Sequence, residues 1–201
     1  MTRVVNKNKE AFDHYCGRPS LFGNPFVIGK DGTREEVIQK YRDYFTDRMR
    51  SDKEFRLEAY KLKNKILGCH CKPANCHCDV IAARLNNSNG LAIIGSRTFN
   101  DYDRLCRVYD LYFSTGYSFI VFGGAIGADL LAKKLCLERN LDYIEFLPDW
   151  SLGRGAGLLR NRDIINCCTN VLCFWDGISK GSANSLGLAK KMKKDSFIFY
   201  F

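Results

Sequence analysis

The chain has 201 residues, 46% of them apolar, and a formal charge of +9. That length and apolar content exclude a disordered chain and support a buried core in one large or two small domains. The charge is uneven, with 17 Lys and Arg against 11 Asp and Glu in residues 1–90 (net +6) and 14 against 11 in the remainder (net +3).

A basic balance favours phosphate-bearing partners, either nucleic acid or nucleotide. The opening Met1-Thr2-Arg3-Val4-Val5-Asn6-Lys7 turns polar at once and no run reaches membrane-spanning length, so a cytoplasmic protein with no membrane partner is expected. Of the ten cysteines, Cys106, Cys136, Cys167, Cys168 and Cys173 sit inside apolar patterns and read as reduced, buried small hydrophobes.

Arg3–Asn6 is a short strand candidate. A long loop follows, rich in Pro and Gly from Gly17 to Gly32, and its Phe22, Phe26 and Ile28 are expected to pin it to a core. Thr33 and Glu36 form a capping-box pattern, and Val37, Ile38, Tyr41, Tyr44 and Phe45 continue at helical spacing, which predicts a helix over 33–49. A more polar helix is expected over 52–63 and a short strand over 65–68. The run Cys69-His70-Cys71-Lys72-Pro73-Ala74-Asn75-Cys76-His77-Cys78-Asp79 then leads into an apolar helical pattern.

Four cysteines and two histidines within ten residues offer sulfur and nitrogen ligands to zinc, the one metal considered, although no cofactor is required by the reading. Because every candidate lies on one short loop, a second ligand pair would have to come from His14 or Cys16. Two other readings stand beside zinc: a tight turn with packed thiols, and a thiolate favoured by the helix N-terminus behind it. Asn86–Gly90 has the composition of a connector, dividing the chain into residues 1–87, a small α+β domain, and residues 91–201.

From Leu91 the chain alternates short apolar runs with amphipathic helices. Strands are expected at Leu91–Ile94, Ser118–Phe122, Leu141–Leu147, Asn170–Trp175 and Ser196–Phe201, with helices near 101–115, 128–140, 156–167 and 182–193. This β-α alternation predicts an α/β, Rossmann-like, doubly wound and mainly parallel sheet, in which ligands bind beyond the carboxyl ends of the strands. Gly95, Ser96 and Arg97, the Gly123-Gly124-Ala125-Ile126-Gly127-Ala128-Asp129 loop, Trp150, and Asp176 to Ser182 are all expected to converge there. The glycines let backbone approach an anion, Arg97 offers a guanidinium fork, and the acids are placed for ribose hydroxyls or proton transfer.

The segments GSRTFND, FGGAIGAD, GAGLLRNR and WDGISKGS, in that order, resemble the YspA-type branch of the SLOG superfamily, whose Rossmann-like fold is shared with the DNA-processing protein DprA and the LOG phosphoribohydrolases. The resemblance implies a nucleotide or nucleotide-derived ligand (NAD-like, ADP-ribose-like or a nucleoside monophosphate), and hydrolysis of its N-glycosidic bond. It carries over onto Gly95, Ser96, Arg97, Gly123, Gly124, Gly127, Asp129, Arg160, Asn161, Asp176 and Ser179. The LOG acid is not inherited, since Lys133, Lys134 and Leu135 follow where their Glu lies near. Asp129, with Arg97, is then the catalytic candidate, or else a first-turn acid favourable to the helix dipole.

SLOG relatives often assemble through helices, so a homo-oligomer is implied as well. The alternative is a DprA-like DNA-binding or DNA-processing module.

Residues 3–85 resemble an uncharacterised domain of bacterial and phage proteins, matching GRPSxFGNPF at 17–26, Thr33-Arg34-Glu35, and Cys71, Pro73, Cys76, His77 and Asp79. Cys69, His70 and Cys78 fall outside that pattern. Arg18, Asn24 and Arg34 are the candidates for a second site, with Cys71, Cys76 and His77 as its metal ligands.

Overall fold

A computed structural model describes residues 1–201. The chain divides into two compact units, Met1–Asn87 and Ser88–Phe201.

The first unit is built on a three-stranded parallel sheet in which β3 (Ile66–Cys69) lies between β1 (Arg3–Asn6) and β2 (His14–Tyr15). The two-residue β2 falls where only loop was expected. It exists because Tyr15 pairs with Gly68 and the Cys16 amide donates to the Gly68 carbonyl, contacts distant in sequence.

Helix α1 (Arg34–Ser51) starts at a capping box. The Glu36 amide donates to Thr33 Oγ1 and the Thr33 amide to Glu36 Oε2. Val37, Tyr41, Phe45 and Met49, four apart, form its buried stripe. Asp52 stops α1 and caps α2 (Lys53–Tyr60) by accepting from the Phe55 amide.

Helix α3 (His77–Asn86) begins earlier than its apolar pattern suggests and runs through Asn86. The Asn86 side chain accepts from the Thr2 amide and donates to the Thr2 carbonyl. In the long loop Phe22 is buried and Phe26 half-buried, but Ile28 is 51% exposed, because the turn at Val27–Asp31 carries it outward; it is not a core anchor.

The second unit is an α/β sandwich around a five-stranded parallel sheet, with β4 (Gly90–Gly95), β5 (Phe119–Phe122), β6 (Tyr143–Glu145), β7 (Asn170–Trp175) and β8 (Asp195–Tyr200) in the order β6-β5-β4-β7-β8. Counted within this unit that is 3-2-1-4-5, the doubly wound order. Between the strands run α4 (Tyr102–Tyr112), α5 (Ala128–Glu138), α6 (Ala156–Cys167), preceded by a 3-10 segment Trp150–Gly155, and α7 (Lys180–Lys191).

The central strands are buried along nearly their whole length, which explains why they read as unbroken apolar runs rather than alternating ones. Leu91, Ile93, Phe99, Phe122, Leu135 and Phe174 fill the core, with the Phe99 and Phe174 rings stacked at 4.4 Å. At the sheet edge β8 leaves Phe197 and Tyr200 exposed. No helix is long and apolar enough to cross a membrane.

Candidate functional site

In a doubly wound sheet the crevice opens where the strand order reverses, here between the carboxyl ends of β4 and β7. A cleft of about 340 Å³ lies there. Glycine makes its floor. At Gly127, φ is +91°, and a Cβ would fall 2.7 Å from Arg97 Cα, so the loops after β5 and β4 touch backbone to backbone. Buried Ser96 joins the third loop, its Oγ accepting from the Asp176 amide at 3.1 Å.

Gly95, Arg97, Asp129, Arg160, Asn161, Asp176 and Ser179 all line the cleft. Ser96, Gly123, Gly124 and Gly127 stand behind them and shape the loops. Trp150 does not join: it is 66% exposed in the 3-10 segment, outside the lining. Thr98, Ser182 and Ser185 do line it, and sequence reading did not single out Thr98 or Ser185. The signal for Ser185 is its i, i+3 relation to Ser182 on α7, which puts two buried hydroxyls on one helix face.

The two carboxylates are held differently. Asp176 Oδ1 accepts from the Ser179 amide at 2.8 Å and the Ile178 amide at 3.0 Å, and Thr98 Oγ1 donates to Oδ2 at 3.3 Å. These donors, the Ser179 amide foremost, hold its pKa down at about 2, so it is a fixed anion.

Asp129 is buried, and burial pushes its pKa up to about 6 against the opposing pull of the Ala125 amide and Arg160. Its Oδ2 accepts from the Gly123 amide at 3.0 Å and the Ala125 amide at 3.3 Å. Arg160 Nη1 lies 3.6 Å from that same oxygen and donates to the Gly123 carbonyl, while Arg160 Nε is buried with no partner. Burial lowers the pKa of Arg160, and nearby Arg97 adds to that.

The N-terminus of α5 opens beside these groups, and its N-cap, Gly127, supplies no side-chain hydrogen bond. By contrast α7 is capped by Ser179, which accepts from the Ser182 amide. The cleft thus brings two guanidinium groups to a helix start with no side-chain cap, and with them an excess of hydrogen-bond donors.

In the first unit Cys69, Cys76, His77 and Cys78 are all buried and bring their ligand atoms within 4.8 Å of one another. Tetrahedral bonds of about 2.3 Å to sulfur place ligand atoms about 3.8 Å apart, so the quartet is close to a zinc-sized cage. Cys69 ends β3, Cys76 is the N-cap of α3, and the other two occupy its first turn.

The set differs from the expected one. Cys71 stands beside it, its Sγ 3.7 Å from that of Cys69, whereas Cys69 and Cys78, outside the sequence pattern, belong to it. No second pair is needed from His14 or Cys16, because the tight turn 71–76 folds the strand end back onto the helix start. Cys16 contributes differently. Its carbonyl lies 3.0 Å from His77 Nε2, which favours the tautomer that leaves Nδ1 free as a ligand. Hydrogen bonds from Cys76 and Cys78 push the Cys69 thiol far down, while those two thiols are pushed up. All ten cysteines are free.

These features define a two-unit α/β protein with a glycine-floored, arginine-lined cleft in one unit and a Cys3His cluster in the other. Residues 2–87 match the domain of unknown function DUF4326, and a 12.4 kDa protein of Enterobacteria phage T4, described as uncharacterized and located in the nrdA-td intergenic region, is 39% identical over 87 residues, which is 43% of this chain and 79% of the phage protein. The chain belongs, through its first unit, to the DUF4326 family. A solved structure of DNA processing protein A from Helicobacter pylori, described for its single-stranded DNA binding mode, aligns with a TM-score of 0.46 at 23% identity, over 56% of this chain and 66% of that one, just under two thirds of its length.

Proposed function

We propose that the second unit binds a phosphate-bearing nucleotide or nucleotide derivative in the cleft at the β4–β7 switch point. The observation that carries this is the uncapped N-terminus of α5, opening between Arg97 and Arg160 on glycine-lined loops. The phosphate would lie against that helix start and the guanidinium of Arg97, with Asp176 and Ser179 facing the sugar. The SLOG-like order of motifs agrees with this occupant.

If the ligand is cleaved at its N-glycosidic bond, the group suited to the proton transfer is Asp129. A carboxyl with a pKa near 6 exchanges its proton at neutral pH, and with Oδ2 committed to the loop amides, Oδ1 is the atom that would do so. Calorimetric titration with a nucleoside monophosphate, NAD and ADP-ribose tests the reading. Binding that Arg97→Ala weakens at least about tenfold supports it, and wild-type affinity in Arg97→Ala and Gly124→Asp alike would sink it.

A second reading, a DNA-binding module, is favoured by the +9 charge and its concentration in the first 90 residues. The Helicobacter pylori protein is described as binding single-stranded DNA. Gel shifts at rising salt separate the two readings, because contacts to many phosphates lose affinity steeply with ionic strength and a single phosphate does not.

For the first unit we infer that the Cys3His quartet holds zinc in a closed, four-ligand structural site. Four buried ligands leave no open position for substrate, and sulfur with imidazole is the donor set zinc selects. Elemental analysis of the purified chain should find one zinc per molecule.

A further inference from the structure

The first unit contains a cavity of about 490 Å³, larger than the cleft of the second unit, and its lining includes Arg18, Arg34 and His70 but no aspartate or glutamate. By contrast the second-unit cleft sets Asp129 and Asp176 against its two arginines. We propose that this cavity is a binding site for a small phosphorylated ligand with a planar apolar body, of the nucleoside monophosphate class.

The loops are built to leave the cavity open. Tyr15 lies across Gly17, where a Cβ would meet its ring, and a Cβ on Gly23 would press on the Arg18 backbone at 3.0 Å, so both glycines let the loop fold tightly behind Arg18. Asn24 braces the far side by donating to the Val37 carbonyl at 3.2 Å and accepting from the Phe26 amide at 2.9 Å. That brace sets Phe26 into the lining. Arg34, the first residue of α1, donates to the Asn75 carbonyl at 3.2 Å and so spans from α1 to the Cys/His turn. Asn24 is therefore a positioning residue, and Arg18 and Arg34 are the groups that face the ligand.

The chemistry of the lining selects the ligand class. Two guanidinium groups with no carboxylate in the same cavity leave positive charge for a dianionic phosphate, which each fork can meet with two hydrogen bonds. The Tyr15 and Phe26 rings, with Val27, Ile28, Val37 and Ile38, supply apolar wall for a flat ring system, and the volume is in the range that encloses a small molecule. Cys69 and His77 form part of the same wall, so the cavity rests on two members of the metal cluster. The site is independent of the second-unit cleft and stands whether or not that cleft is a nucleotide site.

The test is calorimetric titration of the full chain with adenosine 5′-monophosphate, with adenosine and inorganic phosphate as partial ligands. The wild-type protein is expected to bind two equivalents. Arg18→Glu and Arg34→Gln should each remove one of them or weaken it at least about tenfold, and Arg97→Ala should affect only the other. Loss in the Arg18 and Arg34 variants with no change in Arg97→Ala supports the first-unit site and overturns the second-unit reading. Retention in both first-unit variants overturns the present proposal, as does equal affinity for adenosine and its monophosphate. Arg34→Gln keeps a donor toward the Asn75 carbonyl, so it remains informative if charge reversal at Arg18 lowers the thermal midpoint.

Discussion

The guanidinium of Arg160 lies against the backbone of Gly123, donating to its carbonyl while its Nη1 stands 3.6 Å from Asp129 Oδ2. One side chain from α6 thereby ties down the loop after β5 and the first turn of α5. The three elements that shape the cleft are coupled through it.

Gly123→Ala breaks that coupling. A Cβ at Gly123 would occupy the position of the Arg160 guanidinium, which must swing into the cleft it lines and give up both the Gly123 carbonyl and Asp129. The substitution should destabilise the second unit by about 1–2 kcal/mol, through the loss of those polar contacts, and lower its thermal midpoint. Gly157→Ala, in α6 where a Cβ meets nothing, is the opposite-signed control and should leave the thermal midpoint unchanged or raise it.

Asp129→Asn separates the structural from the chemical role of that carboxyl. Both loop amides donate to the same oxygen, so an asparagine carbonyl in that place keeps them. The wild-type carboxyl has a folded pKa of about 6, above its unfolded value, so folding takes up protons between the two. Its favourable contribution is complete below the unfolded pKa and is lost as pH rises through about 6. Urea unfolding from pH 4.5 to 7.5 should show wild-type stability falling relative to Asp129→Asn by about 2 kcal/mol. A flat difference across that range would show that the carboxyl is not perturbed.

Much of this arrangement is visible in the residues themselves. β4, β5 and β7 are continuous apolar runs because helices cover both faces of their sheet, and the Thr33 and Glu36 pair announces the start of α1 because capping is a local interaction. What the residues do not announce depends on distant contacts. β2 is two residues long and is made by pairing with β3, fifty residues on. Ile28 looks like a core anchor until the turn beneath it carries it out of the core, leaving it 51% exposed.

The Cys3His quartet shows the same limit. Cys69 and Cys76 are neighbours only because the turn between them closes, so a pattern read along the chain selects Cys71 in place of Cys69 and Cys78. In the cleft, the spacing of glycines shows where backbone comes close to backbone, but not that Asp129 would turn one oxygen back onto its own loop.

Ser96→Ala tests whether the loops after β4 and β7 depend on each other. The Ser96 hydroxyl is fully buried and accepts from the Asp176 amide. Alanine leaves that amide unpaired at a cost of about 1–3 kcal/mol. The loop that holds Asp176 should loosen with it, seen as faster amide exchange at Asp176 to Ser179 and a weaker affinity for any ligand of the cleft.

Cys76→Ser distinguishes a metal ligand from a helix cap at a single position. Cys76 is the N-cap of α3: its sulfur accepts from the Cys78 amide at 3.4 Å, and its own amide donates to Asp79 Oδ2 at 3.1 Å. Serine is among the best N-cap residues, so the metal-free helix should form at least as well as in the wild type. Its hydroxyl is a poor zinc ligand at neutral pH, so the variant should lose bound zinc and, with it, the stabilisation that metal confers on the first unit. The expected result is a wild-type thermal midpoint well above that of Cys76→Ser in zinc-containing buffer, with the gap closing when a chelator is added. If the two proteins differ by the same amount with and without chelator, and elemental analysis finds no zinc in either, the quartet is a packed thiol cluster and not a metal centre.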